Sequence, residues 1–324
     1  MLIRILKKVV EIKLFQTIVD VILVIYIAIT FLPYKIFTII RSKRLPFTSI
    51  FFEKIGLYPI RDQYYEPLFQ RKYLDEKKFH NRRLGKINFN LGSQITFINN
   101  LEPLPSDWTQ LRDQPCDIDF DINNGAFAPG DAEFLYHFIR NKKPKKIYEI
   151  GAGQSTKVIC AASKKNKDEG HVVHHTCIEP FEAPWLEDLD VRLIREGIET
   201  VNLDLFKTMQ EGDLLFIDSS HMIRPQGDVL TEYLEIIPLL KAGVYIHIHD
   251  IFTPNDYPKE WIVDQKKFWN EQYLVEMMLI NSDKFEIFAS LNHLKHKHFS
   301  ELAKACPYIT KESEPGSMYL KVLS

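Results

Sequence analysis

The stretch from Lys146 to Thr156, reading Lys-Ile-Tyr-Glu-Ile-Gly-Ala-Gly-Gln-Ser-Thr, constrains this chain more than any other. Ile147 to Ile150 is a short apolar run of strand character, and a helical pattern resumes at Lys157. Between them, Gly151 and Gly153 allow a sharp turn and let a ligand approach where a Cβ would collide. The unpaired N–H groups of the helix that follows then face that ligand. A strand, tight turn and helix start in this order place a nucleotide-type ligand at the carboxyl end of a parallel strand.

The rest of the second half repeats this unit. Pro129-Gly130-Asp131 reads as a turn and cap before a helix carrying Phe134, Leu135, Phe138 and Ile139 on one side. After Thr156 a helix is expected to about Ser163, followed by a polar loop from Lys164 to Gly170. Strands are expected at 172–178, 191–194, 214–217 and 244–248, with a helix through Val229, Leu230, Tyr233, Leu234 and Ile237 between the last two. A further helix is expected to carry Trp261, Ile262, Gln265, Phe268 and Trp269, before an antiparallel pair at 285–291 and 317–322. This predicts an α/β fold with a doubly wound, mostly parallel, seven-stranded Rossmann-like sheet and an antiparallel edge. Glu179, Asp218 and Asp250 each follow an apolar strand directly, so they fall on the same rim as the glycine loop.

Composition removes several alternatives. Forty-one basic against 43 acidic side chains give a formal charge of -2, which offers no global basic field, so nucleic acid is not an expected partner. Cys116, Cys160, Cys177 and Cys306 are widely spaced, which argues against a zinc ribbon or disulfide framework and for reduced thiols in a cytosolic compartment.

Residues 14–40 depart from this soluble composition. Val21 to Leu32 is almost unbroken apolar sequence, and with its flanks it reaches the roughly 20 residues that cross a bilayer core. Asp20 lies inside it, and basic residues flank both ends: Arg4, Lys7, Lys8 and Lys13 before, Lys35, Arg41, Lys43 and Arg44 after. The expectation is a hydrophobic helix anchoring residues 1–45 to a membrane, with an interfacial helix or a soluble extension as alternatives. No small-x-small cleavage pattern follows, which disfavours a signal peptide. Residues 46–125 mix Phe47, Phe51, Phe52, Tyr58, Tyr64, Tyr65, Phe69 and Tyr73 with charges and recurrent Pro and Gly. They are expected to form an irregular aromatic segment that packs on residues 126–324 or closes over them as a lid.

The loop also discriminates between cofactors. A nicotinamide dinucleotide usually needs a third glycine, where this chain has Thr156, and gains nothing from a carboxylate at Glu149. An ammonium group would gain from it. S-adenosylmethionine carries an ammonium and a sulfonium but no phosphate, and Glu179 stands where a carboxylate can accept both ribose hydroxyls.

Glu149 to Thr156, Cys177-Ile178-Glu179-Pro180, Asp213 to His221 and Val244 to Asp250 together resemble the class I S-adenosylmethionine-dependent methyltransferases. More narrowly, they are similar to a bacterial group of that fold found among surface-polysaccharide and natural-product tailoring proteins. The resemblance implies that Glu149, Gly151, Ala152, Gly153, Ser155, Thr156, Glu179, Asp218 and Ser219 border the cofactor. It also implies adenine contacts from the 198–204 region. The acceptor would be a hydroxyl of a glycan, lipid-linked sugar or small metabolite, and the enzyme would sit at the inner membrane with a cytoplasmic catalytic domain. A membrane-tethered cofactor-binding protein without turnover, or a nicotinamide-dependent oxidoreductase, are the alternatives.

Chemistry is expected where two neighbouring strands end, at Asp218, His221, His249 and Asp250. His221, His249 and Asp250 are candidate catalytic groups. Some enzymes of this fold hold a divalent cation such as magnesium at the positions of Asp218 and Asp250, although Ile251 stands where those enzymes often have Asn. His247 is expected to be structural, and His293, His296 and His298 to form a solvated polar face.

Overall fold

The computed structural model describes residues 13–40, 44–57, 59, 60, 67–69, 71–80, 82, 84–102, 104, 120–181 and 183–324. The flanking basic residues at 4, 7, 8, 41 and 43, Tyr58, Tyr64, Tyr65 and Cys116 lie outside these. The chain divides into two compact units, Met1–Leu74 and Asp75–Ser324.

In the first unit, α1 (Lys13–Ile40) is a single 28-residue helix that contains Pro33. Its stretch Phe15–Ile40 is long and apolar enough to cross a bilayer, with a mean hydropathy of 2.2 and none of its most apolar window buried. Near its end Phe37 is covered, packing edge-on against Phe52 of α2 (Pro46–Ile55) at 4.8 Å.

The second unit is built on a seven-stranded sheet. Its strands are β1 (Lys146–Ile150), β2 (His174–Ile178), β3 (Arg192–Ile194), β4 (Leu214–Ile217), β5 (Tyr245–Ile248), β6 (Phe285–Ser290) and β7 (Met318–Val322), in the order β3-β2-β1-β4-β5-β7-β6. The first five are parallel, and β7 runs antiparallel between β5 and β6. Consecutive strands run outward from β1 in one direction and then, from β4, in the other. The strand order therefore reverses between β1 and β4, which opens a crevice outside their carboxyl ends.

Both faces are covered. Phe134, Leu135, Phe138 and Ile139 of α4 (Asp131–Lys142) and Val158, Ile159 and Ala162 of α5 (Gln154–Asp168) are fully buried on one face. The helical segment 228–239 and α6 (Glu271–Asn281) bury Val229, Ile236 and Val275 on the other. Each large side chain so buried stabilises the fold by roughly 1.5–3 kcal/mol. Phe97 and Ile98 of α3 (Leu91–Asn99) join the first of these clusters.

Two local expectations are corrected. Lys164 to Asp168 continues α5 instead of forming a loop, because Asn166 donates to the Ile139 carbonyl and Arg140 reaches both Asn166 and Glu169, fixing this turn on α4. The helix expected around Trp261 is one wide turn at Glu260–Asp264, and the regular helix begins only at Glu271. Trp261 and Trp269 instead close on the Lys267 ammonium, 3.7 and 3.9 Å from their ring centres, and Lys266 takes a left-handed backbone at φ 55°. Cation–π contact outweighs helical periodicity in this short stretch.

Candidate active site

The rim is assembled from strand ends. The amide of Gly151 donates to Ile178 and that of Asp218 to Ile150, which carries the sheet pairing one residue past β1 and β4. Gly151 has φ 83°, and a Cβ there would overlap the carbonyl oxygen of Asp218. The loop can therefore lie against β4 only if that position is glycine. Gly151, Ala152, Gly153 and Gln154 are half-exposed along the crevice, as are Glu179, Asp218 and Ser219.

Behind the loop lies a carboxylate with every oxygen engaged. Glu149 is fully buried. Its Oε1 accepts from Ser155 Oγ at 2.7 Å and Thr156 Oγ1 at 3.1 Å, and its Oε2 contacts His175 Nε2 at 2.8 Å and Cys177 Sγ at 3.4 Å. Thr156 Oγ1 also receives the amide of Gly153 at 3.0 Å. Glu149, Ser155 and Thr156 thus hold the glycine turn from behind, while the half-exposed backbone of 151–154 forms its outer surface. Glu179 spends Oε1 on the amide of Phe181 at 2.8 Å and keeps its position at the end of β2.

Across the crevice the ends of β4 and β5 converge. His221 Nε2 lies 3.2 Å from Asp218 Oδ1 and 3.5 Å from Asp250 Oδ2, while its Nδ1 meets Glu271 Oε2 at 2.8 Å. His249 Nδ1 lies 3.4 Å from Asp218 and 3.7 Å from Asp250, and its Nε2 is 3.7 Å from Asp131. Two imidazoles therefore alternate with two carboxylates, the imidazoles buried and the carboxylates half-exposed. His221 and Asp250 both adopt left-handed backbone, at φ 59° and 58°, a conformation non-glycine residues rarely take. The His221 carbonyl accepts from the amides of Asn270 and Glu271, and Ile251 donates to Gly316, so the surrounding structure enforces both turns.

The electrostatics follow from the pairing. Burial alone would lower the pKa of His221, but Asp218 and Glu271 hold it up at about 10. Burial likewise works against the charged form of His249, and Asp250 and Asp218 outweigh it. Burial would raise Asp218, but the two histidines hold it below the ordinary carboxylate range. Asp250 is pushed the other way, upward, because burial outweighs the attraction of His249 and His221. His247 does not join this set. It is fully buried and donates or accepts at Ser317 Oγ, and burial with the nearby His249 keeps it well below its ordinary value.

A divalent cation fits the donor set. One ligand atom from each of Asp218, His221 and Asp250 lies within 4.8 Å of the others, giving two oxygens and a nitrogen on the open rim. His221 is the addition to the pair expected from sequence. Glu271, at the first position of α6, fixes His221 from 50 residues away in sequence. Asp131, read only as a helix start, accepts the amides of Gly316 and Ser317 and faces His249. Trp269 packs on the His221 ring at 4.3 Å and presents an aromatic wall beside the cluster. The cavity of about 900 Å³ at Lys146, His174 and Arg192 opens at the amino-terminal ends of β1 to β3, the opposite side from these groups.

Residues 148–251 match a family model described as a methyltransferase domain, about a third of the chain but including every strand end just described except that of β6 and β7. A protein of Archaeoglobus fulgidus is 30% identical over 94 residues, 28% of this chain, and the match spans under half (42%) of that relative. Among solved structures, an O-methyltransferase from Bacillus cereus in complex with SAH aligns over 72% of this chain and 97% of its own, at 11% identity and a TM-score of 0.36. The MycE methyltransferase from the mycinamycin biosynthetic pathway, with Mg, SAH and mycinamycin VI, aligns over 67% of this chain and 54% of its own, at 12% identity and a TM-score of 0.36.

Proposed function

We propose that this chain, whose residues 148–251 match a methyltransferase-domain model, moves a methyl group from S-adenosylmethionine to a hydroxyl oxygen. The observation that carries this reading is the one rim of strand ends that brings the half-exposed Gly151–Gln154 backbone and Glu179 together with Asp218, His221 and Asp250. When bound, the cofactor supplies a methyl carbon on a sulfonium leaving group. The protein's part is alignment and the fate of one proton. Glu179 would accept the ribose hydroxyls, and the Gly151–Gly153 backbone would border the methionine part. Asp218 and Ser219 would close the other wall. As the acceptor oxygen gains the methyl group, Asp250 would take the proton that this oxygen loses. A carboxylate whose pKa is raised by burial is the better base in this cluster, because both histidines are held protonated by their partners. His221 and His249 would then fix the two carboxylates and offset their charge.

A second reading of the same cluster is favoured by its donor geometry: Asp218, His221 and Asp250 would hold a divalent cation such as magnesium. Such an ion would orient adjacent hydroxyls of the acceptor and lower their pKa. Chelation separates the two. If methyl transfer survives exhaustive dialysis against EDTA, Asp250 acts as base directly; if it falls and manganese or magnesium restores it, the ion is part of the machinery.

We further read residues 1–45 as a membrane anchor, 46–125 as an aromatic extension and 126–324 as the catalytic part, at the inner membrane with the domain on the cytoplasmic side, where the cofactor is made. The unburied apolar surface of α1 supports this, and it favours a glycan, lipid-linked sugar or similar small acceptor. Calorimetry of the full chain in detergent micelles tests the core of the reading: SAH should bind, and Glu179→Ala should weaken it by about 10- to 100-fold, the worth of one or two charge-assisted hydrogen bonds. A folded protein that ignores SAH would overturn it.

A further inference from the structure

A second concave site opens on the same rim, further along the sheet. Both β5 and β6 run antiparallel to β7, so they are parallel to each other, and the residues that follow each emerge on the rim side. The loop leaving β5 passes through Pro254 and Asn255, four and five residues beyond Asp250, while α7 (Leu291–Lys297) starts directly after β6. Asn255 Nδ2 donates to Asn292 Oδ1 at 3.0 Å and ties the two together. Between them and the segment around residue 80 lies a cavity of about 300 Å³ whose lining includes His80, Arg82, His293, His296 and Lys297, and no acidic side chain among the described residues.

The acids nearby are already paired, Glu276 and Glu314 with bases of the lining itself and Asp256 with the Tyr273 hydroxyl at 2.7 Å. Glu276 grips Arg82 through both oxygens at 2.6 Å, and Glu314 holds Lys295 at 2.7 Å and His296 at 2.9 Å. Arg82 is thereby fixed, with its guanidinium over the ring of Tyr273 at 5.1 Å, and two of its five N–H donors are spent on Glu276. Three donors remain in a rigid plane, the geometry that matches phosphate oxygens. His293 stacks on Phe89 at 4.2 Å and is depressed to about 4, by burial first and then by the charges of His298, Lys297 and His296. Lys297 has no carboxylate partner among the described residues, and with the open donors of Arg82 it offers an anion two cationic contacts.

We propose that this pocket binds a phosphate or diphosphate group carried by the acceptor, placing the acceptor's hydroxylated part toward Asp250. This rests on the methyltransferase reading for the acceptor's role and on the cavity alone for the phosphate. Lys297 supplies a charge, Arg82 the fixed fork, and His80 and Asn255 polar groups of the lining. An attached sugar lying along the rim from this pocket would reach the β5 end before the β4 end.

The experiment titrates the full chain in detergent micelles with inorganic pyrophosphate and, in the same samples, with SAH. Wild type should bind pyrophosphate, and the double variant Lys297→Glu, His80→Glu should lose at least tenfold in that affinity while binding SAH unchanged. No pyrophosphate binding, or the same binding in the variant, overturns the proposal; the SAH titration reports on the methyltransferase reading alone. Competition by uridine diphosphate and by farnesyl diphosphate then distinguishes a nucleotide-linked from a lipid-linked acceptor, according to which displaces pyrophosphate at the lower concentration. If neither displaces it, the pocket holds an adventitious ion only and the proposal falls.

Discussion

Gly151→Ala should remove cofactor binding while leaving most of the fold in place. The residue sits at φ 83°, where an L side chain costs roughly 1–2 kcal/mol, and its Cβ would collide with a backbone oxygen of the neighbouring strand end, which cannot swing aside as a flexible side chain could. The loop must therefore lift away from Asp218, moving both walls of the crevice together. We expect SAH affinity to fall by at least about 100-fold, ~2.8 kcal/mol, with a lowered melting temperature. Gly153 is the control: its φ of -163° is extended, and nothing lies within 4 Å of a Cβ built there. Gly153→Ala should leave the melting temperature of the free protein near that of wild type. Equal losses of stability in the two variants would show that strand-end contact is not what fixes the loop.

Asp250→Asn should separate chemistry from binding. The substitution keeps size and shape but removes the charge that His249 and His221 face at 3.7 and 3.5 Å, and an amide cannot take the acceptor's proton. Under the proposed mechanism kcat should fall by about 10²–10⁴, the usual range for a general base, while SAH affinity changes little. Calorimetry with SAH and a single-turnover methyl-transfer assay read the two quantities independently. An unchanged kcat would transfer the base role to another member of the cluster, and a matching loss of SAH affinity would make Asp250 a cofactor contact instead.

The framework of this protein is legible in the sequence because buried parallel strands are short apolar runs that end in polar residues. The expected runs at 214–217, 244–248 and 285–291 differ from the observed strands by one residue or none. Glu149 shows where residue-level reading stops. Its position ahead of the glycines suggested a charge facing the cofactor, but strand alternation sends its side chain to the α5 face, where Ser155, Thr156, His175 and Cys177 receive it. The hydroxyls that partner it lie six and seven residues away, yet nothing in the spacing alone says whether a carboxylate points through the loop or behind it. Glu271, Asp131 and Trp269 carry no local signal of their role at the site. Each acts across a long separation in sequence, 50 residues from His221 in the case of Glu271, and such pairings are set by tertiary packing. The apolar periodicity around Trp261 predicts a helix, but those side chains serve an aromatic clamp on Lys267.

The placement of β7 bears on how the protein is made. Gly316 packs so closely on Asp250 that a Cβ would come within 2.9 Å of its Cα, and the amides of Gly316 and Ser317 are what Asp131 accepts. During synthesis, residues 131–250 leave the ribosome well before this wedge arrives. Until then β5 is an unpaired, apolar edge and the turn at Asp250 has lost its backstop. A nascent chain stalled before residue 316 would therefore expose a strand edge that recruits other chains, and catalytic competence would come only once β7 is in place.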